Sequence, residues 1–160
     1  MESEFLKAID DHQGILFKVC RMYCTNNVDA EDLFQDILLQ LWKAWPSFKG
    51  SSKVSTWMYK VSLNTSIIRL RKNSRSPKLQ ELSFVQHTIP EQESGRMDIL
   101  FNKELQKAIS NLNKLDKALV MLYLDEKTYK EISEIMGMSE NNIGVKINRI
   151  KKKLKEKMNA

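Results

Sequence analysis

Hydrophobic positions recur every three or four residues along most of the chain, the period of amphipathic helices. Phe5, Ala8, Ile9, Ile15, Leu16 and Val19 fall roughly on one side of a predicted helix over residues 4–24. Asn26-Asn27 make a turn, and Asp29 is a suitable cap for a second helix running to about Trp45. Pro46 and Gly50-Ser51-Ser52 mark a loop, and a third helix is expected from near Ser55 to near Lys72. The following stretch carries Ser, Pro, Gln and Glu with no sustained period and reads as a linker. Helix is expected again from about Met97 to Ser110 and from Asp116 to Leu124. Two short helices joined by a tight turn close the pattern. Ile132, Ile135 and Met136 line one face of the first, and Ile143, Ile147, Ile150 and Leu154 line one face of the second. Gly137 sits where a left-handed residue ends a helix, and Ser139 can cap the next one. The fold expected is all-α, with helical domains at 1–73 and 97–160, a flexible linker at 74–96, and a helix-turn-helix in the second domain. Five Gly and three Pro in 160 residues fit that reading, since long stretches contain neither.

The second helix has two populated faces. Ala30, Leu33, Phe34, Ile37 and Leu41 form a core stripe. Asp32, Gln35, Asp36, Leu39 and Trp42 form a second stripe roughly opposite. A merely solvated face would not carry both Leu39 and Trp42. Acidic groups for orientation and a Leu/Trp anchor suit a protein-docking surface. The competing explanation is that Trp42 packs under a neighbouring helix.

The next segment mixes bases and aromatics: Phe48, Lys49, Lys53, Trp57, Tyr59, Lys60, Asn64, Arg69, Arg71 and Lys72. Such a mixture can hold single-stranded nucleic acid, cations following the phosphates and aromatics receiving unstacked bases. Core packing of Trp57 and Tyr59 is the competing explanation, and for Trp57, at a helix start, the simpler one.

In the last helix Asn141, Asn142, Lys146, Asn148 and Arg149 turn outward and could reach base edges and phosphates in a major groove. An ordinary helical hairpin with a basic solvated face would show the same spacing. Charge shifts the balance. The net charge is +6, and residues 96–160 carry +5 of it. Seven basic residues and one acidic residue lie between Lys146 and Lys157, more cations than a helix C-terminus needs.

No apolar run reaches membrane-spanning length, and Met1-Glu-Ser-Glu has no signal-peptide character, so a cytoplasmic protein without membrane insertion is expected. Cys20 and Cys24 lie one helical turn apart among apolar residues. A zinc site needs two more ligands, and His12 and His87 lack ligand spacing. Reduced, buried or half-buried thiols and no metal or cofactor are expected. With no nucleophile elbow, ligand cluster or phosphate-binding glycine loop, nor is an enzyme expected.

Asp29-Ala-Glu-Asp-Leu-Phe-Gln-Asp36, Trp42, Phe48-Lys-Gly50, Ser55-Thr-Trp-Met-Tyr59 and Asn64 together resemble the first conserved domain of extracytoplasmic function sigma factors of the sigma-70 family. Leu112, Leu115-Asp116 and the run from Tyr129 to Leu154 resemble their second. The resemblance spans nearly the whole chain in the expected order. It implies a dissociable subunit of bacterial RNA polymerase that aids promoter choice and melting. Asp32, Gln35, Asp36, Leu39 and Trp42 would dock on core polymerase. Lys49, Lys53, Trp57, Tyr59, Lys60, Asn64, Arg69 and Arg71 would capture the single-stranded −10 element. Ser139, Asn141, Asn142, Lys146, Asn148 and Arg149 would read the duplex −35 element. An anti-sigma factor is left open as a further partner. Many relatives have Lys where this chain has Gly144. The alternative is a stand-alone helix-turn-helix regulator with an N-terminal partner-binding domain.

Overall fold

The structure is a computed structural model and describes residues 2–75 and 103–159. Of the expected linker only residues 74 and 75 are described, and they end a helix. The expected helical start at Met97 and the side chain of His87 lie outside the described residues. The described residues are all-α, in two compact units.

The first unit packs three helices on one another: α1 (Glu2–Tyr23), α2 (Asn27–Ala44) and α3 (Val54–Arg75). α1 bends at His12, whose backbone leaves the helical region (φ −127°, ψ 22°) and whose Nδ1 donates to the Ala8 carbonyl at 3.1 Å. α2 begins three residues earlier than the sequence suggests. Asn26, not Asp29, is the cap: its Oδ1 accepts from the Asp29 amide at 2.8 Å, and its Nδ2 donates to the Asp29 carboxylate at 3.0 Å. An amide side chain can satisfy both directions at once, which a carboxylate at position 29 cannot. α2 ends at Ala44 and passes into a 3₁₀ turn at Trp45–Ser47 that holds Pro46, and Gly50 takes a left-handed φ of 76° in the loop beyond.

Leu16, Val19, Cys20, Leu33, Ile37, Leu41, Met58, Tyr59 and Leu63 fill the core. Thr56, Ser62 and Ser66 on α3 are buried too, and such small side chains let the helix lie close to its neighbours. At one end Phe5, Trp42, Trp45, Phe48 and Trp57 form an aromatic cluster with successive ring centroids 4.9–5.7 Å apart. The cluster ties α1, the end of α2 and the intervening loop to the start of α3.

The second unit contains α4 (Lys103–Ser110), α5 (Lys114–Leu124), α6 (Tyr129–Met136) and α7 (Glu140–Asn159). Every helix start from α5 onward is capped. Asn113 Oδ1 accepts from the Asp116 amide at 2.8 Å. Thr128 and Glu131 form a reciprocal capping box at α6. Ser139 Oγ accepts from the Asn142 amide at 3.1 Å. Gly137 adopts the left-handed conformation, φ 73°, at the turn between α6 and α7. Ile132 and Ile135 of α6 meet Ile143, Ile147 and Ile150 of α7 over Leu119 and Leu122 of α5 in a common core.

Candidate functional site

The first unit exposes two mixed surfaces, on α2 and on α3, and the second unit one, on α7. On the first, α2 separates the two stripes as the periodicity predicts. Ala30, Leu33, Ile37 and Leu41 are buried; Phe34 is half-buried and stacks on Phe17 at 5.1 Å. On the other side Asp32, Gln35 and Asp36 are exposed, and Leu39 and Trp42 keep 48% and 46% of their surfaces in solvent. Trp42 also rests edge-on against Phe5 at 5.1 Å, so its ring is braced while half of it stays accessible. Two half-exposed apolar side chains thus lie beside exposed carboxylates on this side of α2.

The basic-aromatic block divides into three groups. Lys49, Lys53, Lys60, Asn64 and Arg71 are exposed. At about 100° per residue, Lys60, Asn64 and Arg71 share one face of α3. Ile68 shares it and is 52% exposed, a member that hydrophobicity alone had hidden. Trp57 belongs to the aromatic cluster and is half-buried. Tyr59 is a correction: its ring is core, 1% exposed, and Lys18 Nζ donates to its hydroxyl at 3.3 Å, so it is out of reach of a base. Arg69 also departs from the expected grouping. It leaves α3 on the side toward α2, where Nη1 donates to Asp36 Oδ2 at 2.7 Å and Nη2 lies 3.9 Å from Asp32 Oδ2.

On the second unit, α7 buries Ile143, Ile147 and Ile150 and turns Asn141, Asn142, Asn148 and Arg149 to solvent. Lys146 is half-buried on the flank, and the exposed Ser139 is used as the cap. Gly144 faces inward: a Cβ built on it would stand 3.3 Å from Tyr129 Cε2, so the glycine admits the Tyr129 ring between α6 and α7. Two of the C-terminal bases are engaged within the unit. The Lys151 ammonium lies 4.5 Å from the centre of the Tyr123 ring, and hydrogen bonding to that tyrosine raises its pKa. Lys153 Nζ lies 3.9 Å from Asp116. Arg149, Lys152, Lys155 and Lys157 remain exposed along the helix. Val145, absent from the sequence-based set, is 48% exposed amid the outward polar residues.

Neither thiol is built for chemistry. Burial pushes Cys20 up to about 12 and Cys24 up to about 11, Asp29 adding to the effect at Cys24. Among the described residues no three His, Cys, Asp or Glu side chains gather as a metal ion would need, and no helix is long and apolar enough to cross a membrane.

Comparison with known proteins matches residues 8–76 to sigma-70 region 2 and residues 102–154 to sigma-70 region 4. The extracytoplasmic function RNA polymerase sigma factor SigW of Bacillus subtilis is 23% identical, over 98% of this chain and 90% of its own length. RNA polymerase sigma factor YlaC of the same organism is 27% identical, over 81% of this chain and 77% of its own. Among solved structures, sigma factor RpoE of Bartonella quintana, in complex with the anti-sigma factor NepR, superposes with a TM-score of 0.68 at 20% identity. That match covers 99% of this chain and 96% of RpoE. CnrH, in complex with the cytosolic domain of CnrY, gives 0.67 at 18% identity over 98% of this chain and 88% of its own.

Proposed function

The chain belongs to the sigma-70 family as an RNA polymerase sigma factor of the extracytoplasmic function type, and from that premise we propose how its surfaces divide the work. Its partners are core RNA polymerase and promoter DNA. Sigma factors are non-catalytic: polymerase makes the bonds, and this subunit selects where and helps open the duplex. The family assignment favours this reading over a stand-alone regulator. Since it acts with polymerase, it works in the cytoplasm. We take 1–73 as the core-binding and −10 domain, 74–96 as the linker and 97–160 as the −35 domain.

The observation that carries the assignment of surfaces is the exposed stripe on α2. Asp32, Gln35 and Asp36 orient a cationic partner, and Leu39 with the braced Trp42 supplies apolar anchoring. This is the proposed docking surface for core polymerase. The Lys60, Asn64, Ile68 and Arg71 face of α3, with Lys49 and Lys53 before it, is proposed to hold the separated −10 strand through phosphate contacts and an apolar rest for bases. Asn141, Asn142, Asn148 and Arg149 are proposed to enter the major groove of the −35 element, with Lys146 and the C-terminal lysines on phosphates. Ser139 positions that helix through its cap. An anti-sigma factor covering the α2 stripe would compete directly with polymerase. Transcription by core polymerase over a pool of genomic promoter fragments tests the reading: added protein should select a consistent subset, and an unchanged transcript set would refute it.

A further inference from the structure

The outward face of α7 has an apolar centre. Val145 lies three or four residues from each of Asn141, Asn142, Asn148 and Arg149, so these four side chains surround it on the helix surface. Counting about 100° per residue, Val145 points almost directly away from the buried row Ile143, Ile147 and Ile150. A helix laid in a major groove brings that meridian closest to the base edges, while Lys146 and Gly144 fall on its flanks.

Local stability does not explain a valine there. It is 48% exposed, so its packing gain is partial, and its branched Cβ is unfavourable in a helix. The chemistry of the groove does explain it. Each of the surrounding side chains can donate hydrogen bonds: asparagine pairs with adenine N6 and N7, and arginine with guanine O6 and N7. Neither recognises the fourth feature of the groove, the C5-methyl of thymine, which needs an apolar surface.

We propose that Val145 is a specificity-determining residue that contacts a thymine methyl at the centre of the −35 element, with the asparagines and Arg149 reading the adjoining base pairs. This deepens the −35 reading above and rests on it. Placing the valine methyls against the thymine methyl removes both from water and fixes a T·A pair at one position. A cytosine there carries hydrogen at C5 in place of the methyl, so the apolar contact is lost, and its N4 amino donor replaces the thymine O4.

The test uses full-length protein with core polymerase and a duplex recovered by that holoenzyme from a random-sequence pool. Each thymine of the −35 element is replaced singly by deoxyuridine, which pairs identically but lacks the methyl. At one position the replacement should weaken wild-type binding about threefold to fivefold, the value of one buried methyl. For Val145→Ser the same replacement should cost nothing, while Val145→Thr, which keeps one methyl, should retain part of the loss. Thermal melting should show both variants folded, because the side chain is on the surface. Deoxyuridine tolerated everywhere by the wild type, or an equal penalty in Val145→Ser, would overturn the proposal. Failure of the −35 reading itself looks different: the pool would yield no recurrent upstream element, and Arg149→Ala would leave binding unchanged.

Discussion

Arg69 of α3 donates to Asp36 of α2 across a 2.7 Å ion pair and lies on the side of its helix away from Lys60, Asn64 and Arg71. The pair places Arg69 beside the proposed docking stripe and away from the face proposed to hold the strand. Asp36 is half-exposed and the pair is solvent-screened, so Arg69→Gln should change stability by no more than about 1 kcal/mol. Once polymerase is bound, thymine reactivity to permanganate in the open promoter should match wild type. Lys60→Ala combined with Asn64→Ala should lower that reactivity without weakening −35 duplex binding. Equal loss in the Arg69 variant would return it to the DNA surface.

Gly144 and Tyr129 make a second prediction. Alanine at 144 gains roughly 1 kcal/mol of helix propensity but places its Cβ 3.3 Å from the ring. The ring is half-exposed and can yield slightly, so the two effects should nearly cancel in urea unfolding. Valine there adds branching that the ring cannot accommodate, and it should cost about 1–3 kcal/mol. A strongly destabilised Gly144→Ala would mean that the helices cannot adjust.

Ser62 is fully buried on α3, and its Oγ has no hydrogen-bond partner, although its carbonyl accepts from Ser66 Oγ at 2.8 Å. A hydroxyl held from water without a bond is a net cost. Ser62→Ala removes it and raises helix propensity, so the variant should be more stable by about 0.5–1.5 kcal/mol. Destabilisation in a denaturant titration would show that the hydroxyl is satisfied.

The thiols give a pH dependence. Their pKa values are raised by folding, from 9.0 to about 12 for Cys20 and about 11 for Cys24. Below the unfolded value both states hold the proton and nothing changes. As pH rises above 9 the unfolded chain ionises first, so stability falls toward the folded values. The slope should be shallower in Cys24→Ala than in wild type. Disulfide reagents near neutral pH should label Cys20 only after unfolding, since it is wholly buried. Rapid labelling of folded protein would contradict its placement.

Much of this was legible in the chain because the decisive chemistry is local. Gly137 and Ser139 act within their own turn, and the isoleucines of α6 and α7 follow a clean helical period. The α2 stripe separated for the same reason. α3 was less legible. Its buried face includes Thr56, Ser62 and Ser66, which blur the contrast between inside and outside. Tyr59 and Lys60 are neighbours, yet one residue of rotation places the first in the core and the second in solvent. Nor could local pattern reveal that Arg69 meets a carboxylate 33 positions earlier, because that depends on how two helices cross. Val145 carries no polar group, so a search of the helix for hydrogen-bonding side chains does not single it out.

The central claim is that this protein needs core polymerase to find promoters, through the α2 stripe. Leu39→Asp tests it most cleanly, since Leu39 is half-exposed and, unlike Trp42, is not a member of the aromatic cluster. The measurement is a gel-shift titration on promoter duplex for wild type and Leu39→Asp, each with and without core polymerase. Wild type alone should bind weakly and with little sequence preference. Core should confer tight, specific binding by making two weak DNA contacts act together. Leu39→Asp should match wild type alone and lose most of the gain with core. Tight, specific binding by the free protein, unaffected by core or by the substitution, would contradict the account.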